Sequence, residues 1–255
     1  IYFDNAATTP LSPEAKTAMV EAMEVFGNPS STHGEGRKAK AIVETVRKGI
    51  AQRLNCLPAE IVFTSGGTEA DNWALLTGIR DFSIKHLYTS AIEHHAVTHF
   101  AEYIEKNHDV AVHYIPHNAE GTHDMDWLKA ELEAKQAAGE ARMVSLMHAN
   151  NEIGNLTNIK KIGELAQQYN AIFHADTVQT VGHFPINLSE INVDFITGAS
   201  HKFHGPKGVG LLYINANNKV NPFIHGGGQE RNMRAGTENI YGIVGFAKAL
   251  EIAMQ

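Results

Sequence analysis

Two hydrophobic patterns alternate along most of the chain. Short apolar runs bounded by polar or turn residues occur at Ile61–Thr64, Leu87–Ser90, Val110–Ile115, Met143–Met147, Ile172–His174, Phe195–Thr197 and Val209–Ile214. Each has the length of a strand. The stretches between several of them, about 69–81, 96–107, 125–137 and 158–169, carry apolar residues at helical spacing. Strand, helix and strand in that order predict βαβ crossovers. The expected fold class is α/β, a mostly parallel seven-stranded sheet with helices on both faces. Ahead of this repeat, Ser12 and Pro13 supply the N-cap and first residue of a helix running to about Phe26, where Gly27, Asn28 and Pro29 stop it. A longer helix over Glu35–Leu54 places Ala39, Ile42, Val43, Val46, Ile50 and Leu54 on one face. Residues 239–255 form one more helix, still amphipathic at the last residue. The opening stretch gathers Asp4, Asn5, Thr8 and Thr9 in a piece too short to fold alone, so it is expected to lean on another part of the chain.

Composition narrows the function classes. A chain of 255 residues, 43% hydrophobic and 19% charged, has the make-up of a globular protein able to bury a large core. The net charge of -7 is spread without long like-charge runs. That argues against nucleic acid as a partner; the densest basic stretches, Gly36–Lys40 and Lys160–Lys161, are solvated helix faces. No apolar run approaches the ~20 residues that span a bilayer, and no charged segment precedes an apolar one at the start. No membrane partner is expected, and the location expected is cytoplasmic. The single cysteine, Cys56, excludes an internal disulfide and a cysteine-based zinc site. Among 15 histidines, His94, His95 and His99 come closest to a ligand cluster, but no HExxH or Cys/His spacing completes it, so no metal site is expected.

In an open parallel sheet, ligands bind beyond the carboxyl ends of the strands. Taken in order, those ends carry Ser65-Gly66-Gly67-Thr68, Glu93-His94-His95, His148 to Asn151, Asp176 to Gln179, and His201-Lys202. A lone polar residue after a strand is usually a loop cap; five such ends on one edge are a site. The stretch SGGTEADN, between a strand and a helix, offers free backbone N–H groups and a hydroxyl at a helix N-terminus, which suits a phosphate. It is neither a Walker loop nor a GxGxxG turn. His225 to Gly228, HGGG, has the form of an esterase oxyanion loop, but no GxSxG elbow accompanies it. Lys202 stands between His201 and His204, beside Pro206 and several glycines, at a strand end. A desolvated amine placed there is a nucleophile for an aldehyde. One phosphate, one aldehyde and one partner for a buried carboxylate describe pyridoxal 5'-phosphate. Asp176 is the candidate for its ring nitrogen and His94 the flat ring that could stack on it.

YFDNAATTP, FGNPSSTH, EIVFTSGGTEADN, EHHAV, HANNEIG, HADTVQTVG, SHKFHGPKGVG and HGGGQERNMRAGTEN run through essentially the whole chain. In these motifs the sequence resembles the cysteine desulfurases of the class V aminotransferase family, fold-type I pyridoxal-phosphate enzymes of the branch that supplies sulfur for iron-sulfur cluster assembly. The resemblance implies that Lys202 bonds the cofactor, Asp176 faces the ring nitrogen, Gln179 the ring hydroxyl, and His94 stacks on the ring. It implies Gly67, Thr68 and His201 at the phosphate, and Asn151 near the ring and the substrate carboxylate. Thr237 would reach the phosphate of the other subunit of a homodimer. The implied reaction converts L-cysteine to L-alanine, with Lys202 or His94 moving the α proton and a cysteine taking the sulfur as a persulfide for an acceptor or iron-sulfur scaffold protein.

Residues 15–255 would be the cofactor-binding large domain, with 1–14 associated with a small domain that lies, together with the persulfide cysteine and the arginine for the substrate carboxylate, beyond residue 255. Cys56, between a helix and a strand, is in neither place and is expected to be structural. Family members carry SGHK or SAHK where this chain has Ala199-Ser200-His201-Lys202. A hydroxyl expected at the phosphate is thereby lost or displaced by one residue. The alternatives are another class V enzyme, such as a selenocysteine lyase or an aminotransferase, and a non-catalytic fragment or scaffold that keeps the fold.

Overall fold

The computed structural model describes residues 1–255. Helix α1 spans Pro13–Ala22 and starts where the Ser12 hydroxyl accepts from the Ala15 N–H at 3.1 Å. It ends about a turn before Phe26. Met23 and Phe26 are exposed, so no buried stripe holds the chain helical there. Helix α2 spans Gly34–Leu54 and buries Ala39, Val43, Ile50 and Leu54 together with Arg47. It closes on Asn55 in the left-handed conformation that asparagine tolerates.

Seven strands follow: β1 (Ile61–Thr64), β2 (His86–Thr89), β3 (Ala111–Tyr114), β4 (Arg142–Met147), β5 (Ile172–Asp176), β6 (Phe195–Ala199) and β7 (Gly210–Ile214). Between and after them come α3 (Gly67–Arg80), α4 (His95–Asn107), α5 (Met125–Ala137), α6 (Ile159–Gln168) and α7 (Ile240–Ala253). All lie within a few residues of the spans expected from the hydrophobic pattern. The sheet order is β1-β7-β6-β5-β4-β2-β3. Only β7 runs against its neighbours, so β1, though separated from β6 by β7, points the same way as β6, β5, β4 and β2. β3 is parallel to β2, so six carboxyl ends open on one edge, among them the five that carry the polar residues.

Side chains alternate between two faces, as the strand period requires. Phe173 and Ala175 of β5, Val144 and Leu146 of β4, and Leu211 and Tyr213 of β7 join the larger core under α2, α5, α6 and α7. Met143, Phe195, Leu212 and Ile214 point the other way, into the core under α3 and α4. Helices thus cover both faces. Gly210 opens β7 where the loop into α3 crosses it; a Cβ there would stand 2.8 Å from Gly66 Cα and 2.6 Å from the Gly198 carbonyl.

Candidate active site

The sheet's geometry brings the strand-end residues together in one cavity of about 250 Å3. Gly67 and Thr68 follow β1, His94 follows β2, Asn151 follows β4, Asp176 and Gln179 end and follow β5, and His201 and Lys202 follow β6; all line it. Of the residues predicted for the site, only Thr237 is elsewhere. It is exposed beside Ser65, Gly208 and Arg234, in a separate cavity of about 200 Å3. A larger cavity, about 560 Å3, lies between α2 and residues 228–238. Two of its guanidiniums are taken by carboxylates, Arg47 by Glu230 and Glu44 and Arg231 by Glu44, and the third, Arg37, donates to the Thr32 carbonyl.

The anion end of the 250 Å3 cavity is the start of α3. Its N-cap, Gly66, has no side chain to offer, so the first N–H groups of the helix keep their capacity for an anion. Gly67 leaves no room for more: a Cβ would stand 2.6 Å from Val178 Cγ2. Across from it, His201 is half-buried, its Nδ1 3.1 Å from the Thr8 hydroxyl. Burial, then the nearby Lys202 and Lys207, hold its imidazole below the usual histidine range, so it stays neutral at neutral pH. The hydroxyl in question from Ser200 is lost to this site. Ser200 is fully buried, does not line the cavity, and its Oγ has no hydrogen-bond partner.

Lys202 is held in a short helical turn, Ser200–Lys202, directly after β6. Its Nζ donates to the Ala6 carbonyl at 2.5 Å and the Ala7 carbonyl at 3.0 Å, and Gln179 Nε2 donates to the same Ala6 carbonyl at 2.9 Å. Burial lowers its pKa below the ordinary lysine value, against the pull of Asp176 and Asp4. The opening segment does lean on the site, as its polar residues required. Thr9 donates from its N–H to the His201 carbonyl at 2.8 Å and from its hydroxyl to the same carbonyl at 2.9 Å, and the His204 N–H donates to Thr9 Oγ1 at 2.6 Å.

Asp176 is buried, with Oδ1 accepting from the Val178 N–H at 2.8 Å. Burial, and then the charge of Asp71, push its pKa up to about 7. His94 caps α4, its Nδ1 accepting from the Ala96 N–H at 3.1 Å. The neutral ring consequently carries its proton on Nε2. Burial and Lys202 hold its pKa below the usual value. Asn151 is tethered to Glu152 at 2.7 Å.

Two polar residues not among those predicted belong here, Asp71 in the cavity wall and His174 buried beneath it. Asp71 lines the cavity one helical turn after Gly67 and Thr68, and His174 precedes Asp176 by two on the same face of β5. Both spacings were signals: i, i+3 on a helix and i, i+2 on a strand share a face. Cys56 lies ahead of β1, at the other edge of the sheet, and burial beside Glu60 pushes its thiol up to about 12. It is a poor nucleophile there. No helix is long and apolar enough to cross a membrane.

The aminotransferase class-V family profile matches residues 1–255. The chain is 46% identical over 257 residues to the cysteine desulfurase IscS of Dictyoglomus turgidum, covering all of this chain and 64% of that protein. To the cysteine desulfurase IscS of Methanosarcina thermophila it is 45% identical, over 99% of this chain and 62% of that one. It therefore spans less than two thirds of the length of these curated relatives. Among solved structures, a NifS-like protein superimposes with a TM-score of 0.91 at 38% identity, covering 99% of this chain and 69% of that one. SspA in complex with cysteine gives 0.89 at 34%, covering 98% and 72%.

Proposed function

Because the chain belongs to the aminotransferase class-V family, we propose that it forms the cofactor pocket of a pyridoxal-phosphate-dependent cysteine desulfurase. Members of this family depend on pyridoxal phosphate, and the residues of the cavity fit that group. The observation that carries the reading is their donor set: a helix N-terminus without a side-chain cap, a buried carboxylate and a lysine of lowered pKa, all lining one small cavity.

The start of α3, with Gly67 and Thr68, and His201 would hold the phosphate. Asp176 would face the ring nitrogen, Gln179 the ring hydroxyl, His94 the ring face, and Lys202 the aldehyde carbon. When bound, pyridoxal phosphate supplies a protonated ring that withdraws electrons from a substrate's α carbon. Lys202, freed from the Ala6 and Ala7 carbonyls and already below its ordinary pKa, is suited to accept a proton at Nζ. His94, whose proton is on Nε2, is suited to give one up. Asn151 would orient the substrate carboxylate.

The substrate proposed is L-cysteine, the products L-alanine and a persulfide handed to an acceptor or iron-sulfur scaffold protein. Cys56 is at the wrong edge and too weakly acidic, so another thiol would receive the sulfur. Thr237, exposed and outside the cavity, would serve the phosphate of a second copy, making the working form a homodimer, with residues 1–14 belonging to the small domain, 15–255 to the large one, and a cytoplasmic location.

The test is the visible spectrum of the purified chain with pyridoxal phosphate, before and after borohydride, beside Lys202→Ala. A yellow band that borohydride removes, with the modified peptide containing Lys202, is expected. A folded chain that shows no band would refute the cofactor assignment. For the complete enzyme, Asp176→Ala should lose turnover of L-cysteine by orders of magnitude while folding normally; near-normal turnover would sink the role given to Asp176.

A further inference from the structure

Beneath the cavity lies a buried polar cluster larger than the proposed function uses. Asp71 is 1% exposed and His174 fully buried, and both sit on the α3 side of the sheet next to Asp176. His174 Nδ1 is 2.9 Å from the Ser145 hydroxyl, a direct neighbour across the β4–β5 register. Its Nε2 is 3.1 Å from the Thr197 hydroxyl and 3.3 Å from Asp71 Oδ1. That Oδ1 has no hydrogen-bond partner. Around the pair stand Glu93, buried beneath the turn after β2 with one oxygen on the Ser90 hydroxyl at 2.7 Å, and, from the cavity side, Lys202 and His94.

Three buried carboxyls with one interior imidazole do not all stay ionised, because each uncompensated buried charge is costly. Burial holds Glu93 well above the usual carboxyl range. His174, lowered to about 4, is neutral and takes no share of the excess charge. Asp71 and Asp176 are each pushed up to about 7, and as neighbouring acids they release their protons as a coupled pair. The surroundings of the two differ. Asp176 has the Val178 N–H as a donor and borders a cavity with Lys202, which favours its ionised form. Asp71 reaches the same cavity but has no backbone N–H on it: the Thr197 hydroxyl stands beside its carboxylate, and its Oδ1 lies 3.3 Å from the His174 ring nitrogen.

Resting on the cofactor reading above, we infer that Asp71 is a positioning acid, holding its proton on Oδ1 toward His174 Nε2, so that Asp176 meets the cofactor's ring nitrogen as the ionised member of the pair. His174 then carries its own proton on Nδ1, donated to Ser145 Oγ. Every polar atom along the line Ser145, His174 and Asp71 gains a role in one tautomer. A protonated Asp71 also adds no negative charge to compete with Asp176.

The tautomer can be read without cofactor, from nitrogen chemical shifts of the 15N-histidine-labelled chain, with His174→Gln to identify the resonance. At pH 7 the wild type should show His174 protonated on Nδ1 and accepting at Nε2. Asp71→Asn, whose amide still donates, should keep that tautomer and bind pyridoxal phosphate within about threefold of wild type by fluorescence titration. Asp71→Ala removes the donor; its His174 should move the proton to Nε2, toward Thr197, and its cofactor affinity should fall about tenfold. A wild-type ring protonated on Nε2, or an asparagine variant that loses affinity as alanine does, would overturn the inference, since Asp71 would then act through its charge. If the tautomers follow the expectation and no form of the chain binds pyridoxal phosphate, the cofactor reading falls and the proton assignment to Asp71 stands. Thermal melts of both variants within a few degrees of wild type establish that they are folded.

Discussion

Replacing Glu230 with alanine should destabilise the chain more than any change at the cavity. Glu230 is 6% exposed and its carboxylate accepts from both terminal nitrogens of Arg47 at 2.8 Å and from the Phe63 N–H at 2.9 Å. Arg47, 2% exposed, also donates to the Ile61 carbonyl at 2.8 Å and lies over the Phe63 ring at 4.7 Å. One carboxylate therefore ties α2 and the strand leading to the phosphate loop to the segment that carries Thr237. That segment is itself strained. Glu230, Arg231 and Asn232 take φ values of 44°, 57° and 65°, which non-glycine residues keep only where their surroundings hold them. Alanine leaves the buried guanidinium with only the partly exposed Glu44 carboxylate at 3.1 Å as counter-charge, at about 3–5 kcal/mol, and orphans the Phe63 N–H, a cost that overlaps the first. At roughly 2–4 °C per kcal/mol for a chain of this size, the melting temperature should fall by about 6–20 °C. Calorimetry measures the fall, and amide exchange at Phe63 should speed up with it. The double change Arg47→Met with Glu230→Met should recover most of the loss, because well-packed apolar residues can replace a buried pair at little cost. A single variant melting within 2 °C of wild type would refute the reasoning.

At Gly67, alanine would press a methyl against Val178, at about 1–3 kcal/mol of overpacking. Pyridoxal phosphate affinity should drop at least tenfold by fluorescence titration, and adding Val178→Ala should restore much of it. Thr9→Val keeps the shape but removes the acceptor of the His204 N–H and a donor to the His201 carbonyl. A loss of about 1–3 kcal/mol in urea unfolding is expected, with faster proteolysis before residue 10. The buried acids give a pH dependence with a definite sign. Burial pushes the Asp71 pKa up to about 7 in the folded chain, against 3.8 for an ordinary aspartate, so the folded state binds the extra proton between these limits and its stabilising effect is lost as pH rises through 7. Asp71→Asn lacks this loss. The melting temperature of the variant relative to wild type should therefore climb from pH 4 to pH 7 and level off above pH 8; a constant difference would show that Asp71 does not titrate with a raised pKa.

The parts of this site that the sequence made legible share a physical cause. A parallel strand fixes where its carboxyl end goes, so a polar residue placed just after an apolar run has its location decided by local pattern and one topological rule. Gly67, Thr68, His94, Asn151, Asp176, Gln179, His201 and Lys202 all met that condition, and the cavity contains them all. What was missed depended on direction. Asp71 and His174 lie inside elements whose apolar periodicity drew attention away from them, and only the alternation of faces shows that they meet under Asp176. Ser200 is the reverse case. The sequence left open whether the hydroxyl is lost to the phosphate or displaced by one residue, and the tight turn over Ser200–Lys202, which buries Ser200 with its Oγ unpartnered, decides for loss. The contacts of Ala6 and Ala7 with Lys202 join positions almost 200 residues apart through backbone carbonyls. Side-chain identity carries no trace of them. Tertiary contact also decided the end of α1, where propensity permitted another turn and the absence of a surface for Phe26 denied it. Residues that act from strand ends can thus be found by reading a sequence in order, whereas those that tune them from within the core need the register and the facing helix.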